Sequence, residues 1–332
     1  MADHRVLIVD GAQHHKWNRE TFEDIREGDI SAINVTLAIW ENARETLAEI
    51  GMWYRRFDQF SDLIMPVYTS EDIRAAFEAK KTGILFGFQN TSPIEDNIEF
   101  VAVFAKLGVR VMQLTYNTQN LIGCGCYEPN DSGLTYFGRD VIAEMNRHGV
   151  VIDLSHTGER TSMDAIEAST QPVAITHANP LWWKDVQRNK SEDMMRALAE
   201  NGGVMGLGTY PNLFAPDGTL EQFCDMVART VEFMGIDHVG LGSDHNTGFL
   251  PDEKRYWARG HWSREVPKFM SAKGFHSPKW PQIDWPEWCE QPSGLGRIPN
   301  GLREQGFNEE EVTKIMGGNY LRVIDQVSAG AN

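Results

Sequence analysis

The sequence predicts an α/β fold of the (β/α)8 TIM-barrel type, with a long Trp- and Pro-rich insertion after the eighth strand. Three observations carry this. Eight short apolar runs alternate with helix-like segments along most of the chain, the pattern of a parallel sheet covered by helices. Polar side chains able to bind metal or move protons recur just beyond the ends of those runs, the face where barrels build their sites. The length, 332 residues, suits one such barrel, and no compositional break divides it. Residues 1–332 are therefore read as a single domain. A doubly wound open sheet gives the same alternation, because periodicity does not reveal closure.

In chain order, Val6–Val9 is an apolar run closed by Asp10-Gly11 and followed by His14 and His15. The β-branched run Ile30–Thr36 is the second strand. Trp40 to Ala79 has amphipathic helical spacing with a break at Pro66. Gly83–Phe88 is the third strand and runs into Gln89. A helix over Ile94–Leu107 leads to the fourth strand, Val109–Thr115, which ends at Tyr116. A helix over Phe137–Arg147 precedes the fifth strand, Val150–Leu154. Arg160–Ala168 is helical and leads to the sixth strand, Val173–Ile175. The helix Glu192–Glu200 stops at Gly202-Gly203, before the seventh strand, Val204–Leu207. The helix Leu220–Met234 stops at Gly235, before the eighth strand, His238–Gly242, and Ser243-Asp244. An irregular insertion runs from His245 to about Asn300, and a helix near Glu309–Met316 closes the chain.

The fifth and sixth strands are the chemical centre of the pattern. Each ends within two residues of a histidine, His156 and His177. Neighbouring parallel strands place their carboxyl ends side by side, so both imidazoles point into one space. Two convergent imidazoles suit metal binding or proton transfer; two unrelated loop histidines are the plain alternative.

A formal net charge of −16 argues against nucleic acid or an anionic membrane as partner, and is compatible with a neutral or cationic small-molecule substrate. No run approaches a membrane span. The N-terminus enters a strand at once, without room for a signal peptide. The four cysteines, Cys124, Cys126, Cys224 and Cys289, lack zinc-ribbon spacing and read as free thiols. These features predict a cytoplasmic protein. The insertion holds Trp257, Trp262, Trp280, Trp285 and Trp288. A loop so long is a lid over the barrel mouth, or an aromatic interface that would pair two copies into a homodimer.

The runs GLTYFGRDVIAEMNRHGVVIDLSHTG, THANP with Arg188-Asn189, HVGLGSD and IMGGNYLRV resemble the renal (membrane) dipeptidase family, zinc peptidases of the amidohydrolase group of TIM barrels. The resemblance extends in order over nearly the whole chain and implies a metal-dependent amidohydrolase. It implies metal ligation by His156 and His177, catalysis by Asp244, and a substrate-carboxylate contact by Arg188, with Asn189 beside it. The chain departs from the family at its other ligands. Ala12 and His14 stand where the family has His-x-Asp, Gln89 replaces the bridging glutamate, and Tyr116 replaces a substrate-facing histidine. A dizinc site needs anionic ligands to offset the repulsion of its cations, so two zinc ions are not expected. His14, His156 and His177 remain as a three-nitrogen set for one zinc ion with an open position for water. Asp244 then serves as a fourth ligand or as general base, while Tyr116 and Gln89 line the substrate pocket. The expected reaction is cleavage of an amide or peptide bond in a small carboxylate-bearing molecule. Two alternatives are a metal-free enzyme of the same fold with lyase or isomerase activity, and a non-catalytic small-ligand binder.

Overall fold

A computed structural model describes residues 5–215, 217–260 and 284–331. Its elements run β1 (Ile8–His15), α1 (Arg19–Glu27), β2 (Ile30–Ala38), α2 (Ala43–Gln59), β3 (Ile64–Pro66), α3 (Ser70–Glu78) and β4 (Thr82–Phe88). They continue α4 (Glu99–Lys106), β5 (Val109–Gln113), α5 (Tyr136–Arg147), β6 (Val151–Asp153), α6 (Glu159–Ala168) and β7 (Ala174–Ile175). Next come α7 (Glu192–Glu200), β8 (Val204–Leu207), α8 (Leu220–Met234), β9 (Val239–Leu241), β10 (His245–Thr247) and α9 (Pro251–Arg259). All strand pairings are parallel, in the order β10-β1-β2-β4-β5-β6-β7-β8-β9. Asp10 of β1 pairs with Leu241 of β9, which closes the sheet into an eight-stranded barrel and removes the open-sheet alternative. The short strands β3 and β10 extend β4 and β1.

The barrel strands are buried on both faces, as in β2, where every residue from Ile30 to Ala38 is buried. One face meets the barrel interior and the other meets the helices. Helix starts follow ordinary capping chemistry. Asn42 and Glu45 form a reciprocal capping box on α2, and Thr219 and Gln222 form one on α8. The amino-terminal end of the barrel is plugged by the C-terminal helix Asn319–Ala329. Its Tyr320 hydroxyl donates to the Thr176 carbonyl at 2.9 Å. Gly11 and Gly206 leave the ring its space, because a Cβ at either would collide with the Tyr320 hydroxyl.

Four differences from the sequence reading matter. β1 does not stop at Asp10 but continues through His15, so His14 and His15 are strand residues rather than loop residues. The segment 40–79 is interrupted by β3 as well as by a helix break. The closing helix does not end at Met316: Glu309–Thr313 passes through a π-helical turn, Lys314–Gly318, into Asn319–Ala329. The start of the insertion is ordered as β10 and α9, and Trp262 and Trp280 lie outside the described residues.

Candidate active site at the barrel mouth

Two buried aspartates shape the mouth from below. Asp153, the last residue of β6, accepts from the Ser155 amide at 3.0 Å, the Thr176 amide at 2.9 Å, and the Ser155 and Thr176 hydroxyls at 2.5 and 2.6 Å. This carboxylate folds back the turns after β6 and β7 together, which brings His156 and His177 face to face. Asp10 does the same across the β1–β9 seam. It accepts from the Ser243 amide at 2.8 Å, the Ser243 hydroxyl at 2.5 Å and the Gln13 amide group at 2.8 Å. Burial raises the Asp10 pKa, and the Ser243 and Gln13 hydrogen bonds oppose that rise. The next residue after this anchor, Asp244, takes a left-handed backbone conformation, φ 57°, which turns it into the mouth.

The imidazoles of His156 and His177 meet through their Nε2 atoms, 3.1 Å apart. His156 Nδ1 lies 2.7 Å from Asn117 Oδ1, and His177 Nδ1 lies 2.8 Å from the Thr176 hydroxyl. Because that hydroxyl donates to Asp153, it accepts from His177 Nδ1–H. Asn117 Oδ1 likewise accepts from His156 Nδ1–H. Both Nε2 lone pairs then face one point, an arrangement that suits a cation between them, either a shared proton or a metal ion. Burial first, and then the Arg188 guanidinium, hold both imidazoles well below their ordinary pKa. Tyr116 stacks on His156 with ring centroids 4.0 Å apart.

A cavity above this pair is lined by His14, Gln89, Tyr116, Asn117, His156, Arg188, Tyr210 and Asp244, and is roofed by Lys254, Trp257 and Ala258 of α9. Asp244 is the carboxyl that lines it. Burial pushes its pKa up to about 7; Arg188 opposes that rise, and Asp10 and Asp153 add to it. At neutral pH such a carboxyl is divided between acid and base forms. Burial keeps the Tyr116 hydroxyl protonated, raised far above its ordinary pKa.

Not all the predicted residues converge. His177 lies behind His156, fully buried and outside the cavity lining. Gln89 lines the cavity, but its amide nitrogen is turned to the Thr36 hydroxyl at 2.7 Å. Asn189, expected beside the substrate, instead braces its own loop: it donates to the Lys184 and Leu213 carbonyls and accepts from the Asn179 amide. Arg188 reaches the cavity while tying the two histidine turns together, through NH2 to the His177 carbonyl at 2.6 Å and NH1 to the Ser155 carbonyl.

The three-histidine metal set is not assembled. Among the described residues, no three His, Cys, Asp or Glu side chains converge closely enough to hold a metal ion. The reason is the roof. His14 stacks on Phe249 at 4.7 Å and packs at a tilt against Trp257 at 4.9 Å, with Nδ1 buried and unpartnered. Burial and Lys16 lower its pKa to about 4. A two-ion centre does not fit these residues, since Ala12 offers no donor and Gln89 no charge; one ion would find two ligands, His156 and His177 Nε2.

Two supporting residues escaped the sequence reading. Lys190 is buried and donates from Nζ to the Leu154 and Thr157 carbonyls at 2.9 and 3.2 Å, which pins the turn that carries His156. Burial lowers its pKa to about 7. Asn117 orients His156. The sequence signal available for Lys190 was its place two residues after Arg188, but Lys on a loop ordinarily faces solvent.

The family model for membrane dipeptidases (peptidase family M19) matches residues 13–255, more than half of the chain. The chain belongs to the membrane dipeptidase family. Among curated proteins, the dipeptidase tcpJ of Claviceps purpurea is 26% identical over 289 residues, covering 86% of this chain and 60% of that protein. The chain thus spans about 60% of the length of that relative. Among solved structures, an amidohydrolase from Pseudomonas aeruginosa superposes with a TM-score of 0.91 at 36% identity, covering 98% of this chain and 97% of that one. A metallopeptidase from Rhodobacter sphaeroides, liganded with a phosphinate mimic of the dipeptide L-Ala-D-Ala, gives 0.78 at 16% identity over 97% of this chain and 99% of that one, which supports the fold alone. Among the described residues, no helix is long and apolar enough to cross a membrane.

Proposed function

We propose that this single barrel domain hydrolyses an amide bond in a small carboxylate-bearing molecule of dipeptide size. The observation that carries this reading is Asp244, a carboxyl with a pKa near 7 at the floor of an aromatic-walled cavity, in a chain of the membrane dipeptidase family. In its carboxylate form Asp244 takes a proton from the attacking water, and in its acid form it returns that proton to the departing amine. The Tyr116 hydroxyl donates to the carbonyl oxygen as charge develops there. Trp257 and Tyr210 exclude bulk water. Arg188 keeps His156 in place and contributes positive charge beneath the reacting carbonyl.

At most one metal ion belongs to this reading. His156 and His177 would hold it, and when bound it would supply Lewis acidity and lower the pKa of a bound water. A second reading, proton-transfer chemistry of the lyase or isomerase kind without metal, is favoured by the missing third ligand. Metal analysis of protein purified without chelator, together with a dipeptide library, separates the two. About one zinc per chain, lost in His156→Ala, with turnover of a library member supports the hydrolase. Two zinc ions per chain would overturn the single-ion reading. No metal uptake and no turnover favour the second reading.

A further inference from the structure

The roof of the cavity carries a cation that the chemistry at its floor does not use. Lys254 sits on α9 and lines the cavity, half-buried. It makes no ion pair among the described residues, and burial alone lowers the pKa of its ammonium group. An unpaired ammonium in a partly desolvated wall calls for an anionic partner. α9 is held in position from three directions. Trp40 Nε1 donates to the Trp257 carbonyl at 3.2 Å, Lys16 pairs with Glu253 at 2.5 Å, and Trp257 packs on His14.

The other candidate for an anion is Arg188, but two of its terminal nitrogens serve the Ser155 and His177 carbonyls. A bidentate clamp needs two parallel N–H groups presented together, and here both terminal nitrogens already serve backbone carbonyls and only the buried Nε is unpartnered.

We infer that Lys254 is the specificity-determining residue of this site, the roof cation that takes the carboxylate of a small acid whose reacting bond lies at Asp244. The inference rests on the hydrolase reading for the position of that bond, and not for the carboxylate contact itself. The substrate class is then a small acid that carries a free carboxylate besides the cleaved amide.

The test is calorimetric binding of a panel of dipeptides and N-acetyl amino acids, each as free acid and as C-terminal amide, to the full chain and to Lys254→Met and Lys254→Arg. Loss of one charge-assisted contact predicts that Lys254→Met binds the free acids about tenfold more weakly. Amide binding should change by less than about twofold, and Lys254→Arg should recover most of the acid affinity. Equal weakening of acids and amides, or wild-type protein that does not prefer acids, overturns the inference. Turnover of the same panel is scored separately. Turnover without a Lys254-dependent acid preference sinks the inference and leaves the hydrolase reading standing. A Lys254-dependent preference without turnover does the reverse.

Discussion

The two halves of the barrel mouth were built by the same device and have been left with different chemistry. On the β6–β7 side, Asp153 gathers Ser155 and Thr176 and sets two histidines Nε2 to Nε2. On the β1–β9 side, Asp10 gathers Gln13 and Ser243 in the same way, but the neighbouring ligand positions hold Ala12, His14 and Gln89. His14 is neutral and stacked into the roof, and Gln89 is bonded to Thr36. The scaffold beneath the site is thus separable from the donors above it. A buried carboxylate that shapes a turn stays useful to the fold whether or not a metal is held, whereas an exposed ligand has value only through the ion.

The sharpest way to break this comparison is Asp244→Asn. Asn tolerates the left-handed backbone at this position, so the fold should persist while turnover of the best library substrate falls about 10²–10⁴-fold. Retained activity would remove Asp244 from the chemistry. Next in size is the triple variant Ala12→His, His14→Asp, Gln89→Glu. If only donors were lost, it should bind two zinc ions by plasma mass spectrometry, where the natural chain should bind no more than one. Failure to gain a second ion would mean that the β1 side has lost its geometry as well.

Smaller effects test the intact side. His177→Ala removes one partner each from the Thr176 hydroxyl and His156 Nε2 and should cost about 1–3 kcal/mol in denaturant unfolding, whereas Gln89→Ala should cost less than about 1 kcal/mol. Equal costs would contradict the asymmetry.

Acidity gives a further handle. The folded pKa of Asp244, about 7, lies above its ordinary 3.8, so the native state binds the extra proton between those values. Stability from this group is therefore present at low pH, falls as pH rises through that window, and levels off above about 7. Asp244→Asn should flatten that slope, so its melting temperature should gain most on the natural chain at pH 8. Hydrolysis with Asp244 as base should instead rise with pH through about 7. A melting difference independent of pH would show that Asp244 is not held protonated.

Much of the barrel was legible before any coordinates. The bounds of α7, β8 and α8 coincide with those expected, because caps, glycine stops and apolar runs are local signals. Other parts were not legible, among them α1, β10 and α9, for which no element was expected. β3 is three residues long inside a helical pattern, too short to show a period of two. The C-terminal helix hides behind Gly317-Gly318, which reads as a stop but adopts a π-helical turn against Leu7 and Val9. β1 runs past Asp10-Gly11 because the buried carboxylate there is satisfied by Ser243, far away in sequence.

By itself the sequence determined the alternation of parallel strands and helices, the membrane dipeptidase resemblance, the placement of His156 and His177 after neighbouring strands, and the loss of donors at Ala12 and Gln89. These follow from residue identity and local spacing, whereas closure of the sheet came from the pairing of Asp10 with Leu241. Only the tertiary structure decided that His14 turns to Phe249 and Trp257, that Arg188 and Lys190 hold backbone carbonyls, and that Lys254 lines the cavity roof. Each of these depends on what a side chain meets across the barrel mouth, and hydrogen bonds and ring contacts between segments tens to hundreds of residues apart leave no trace in local sequence.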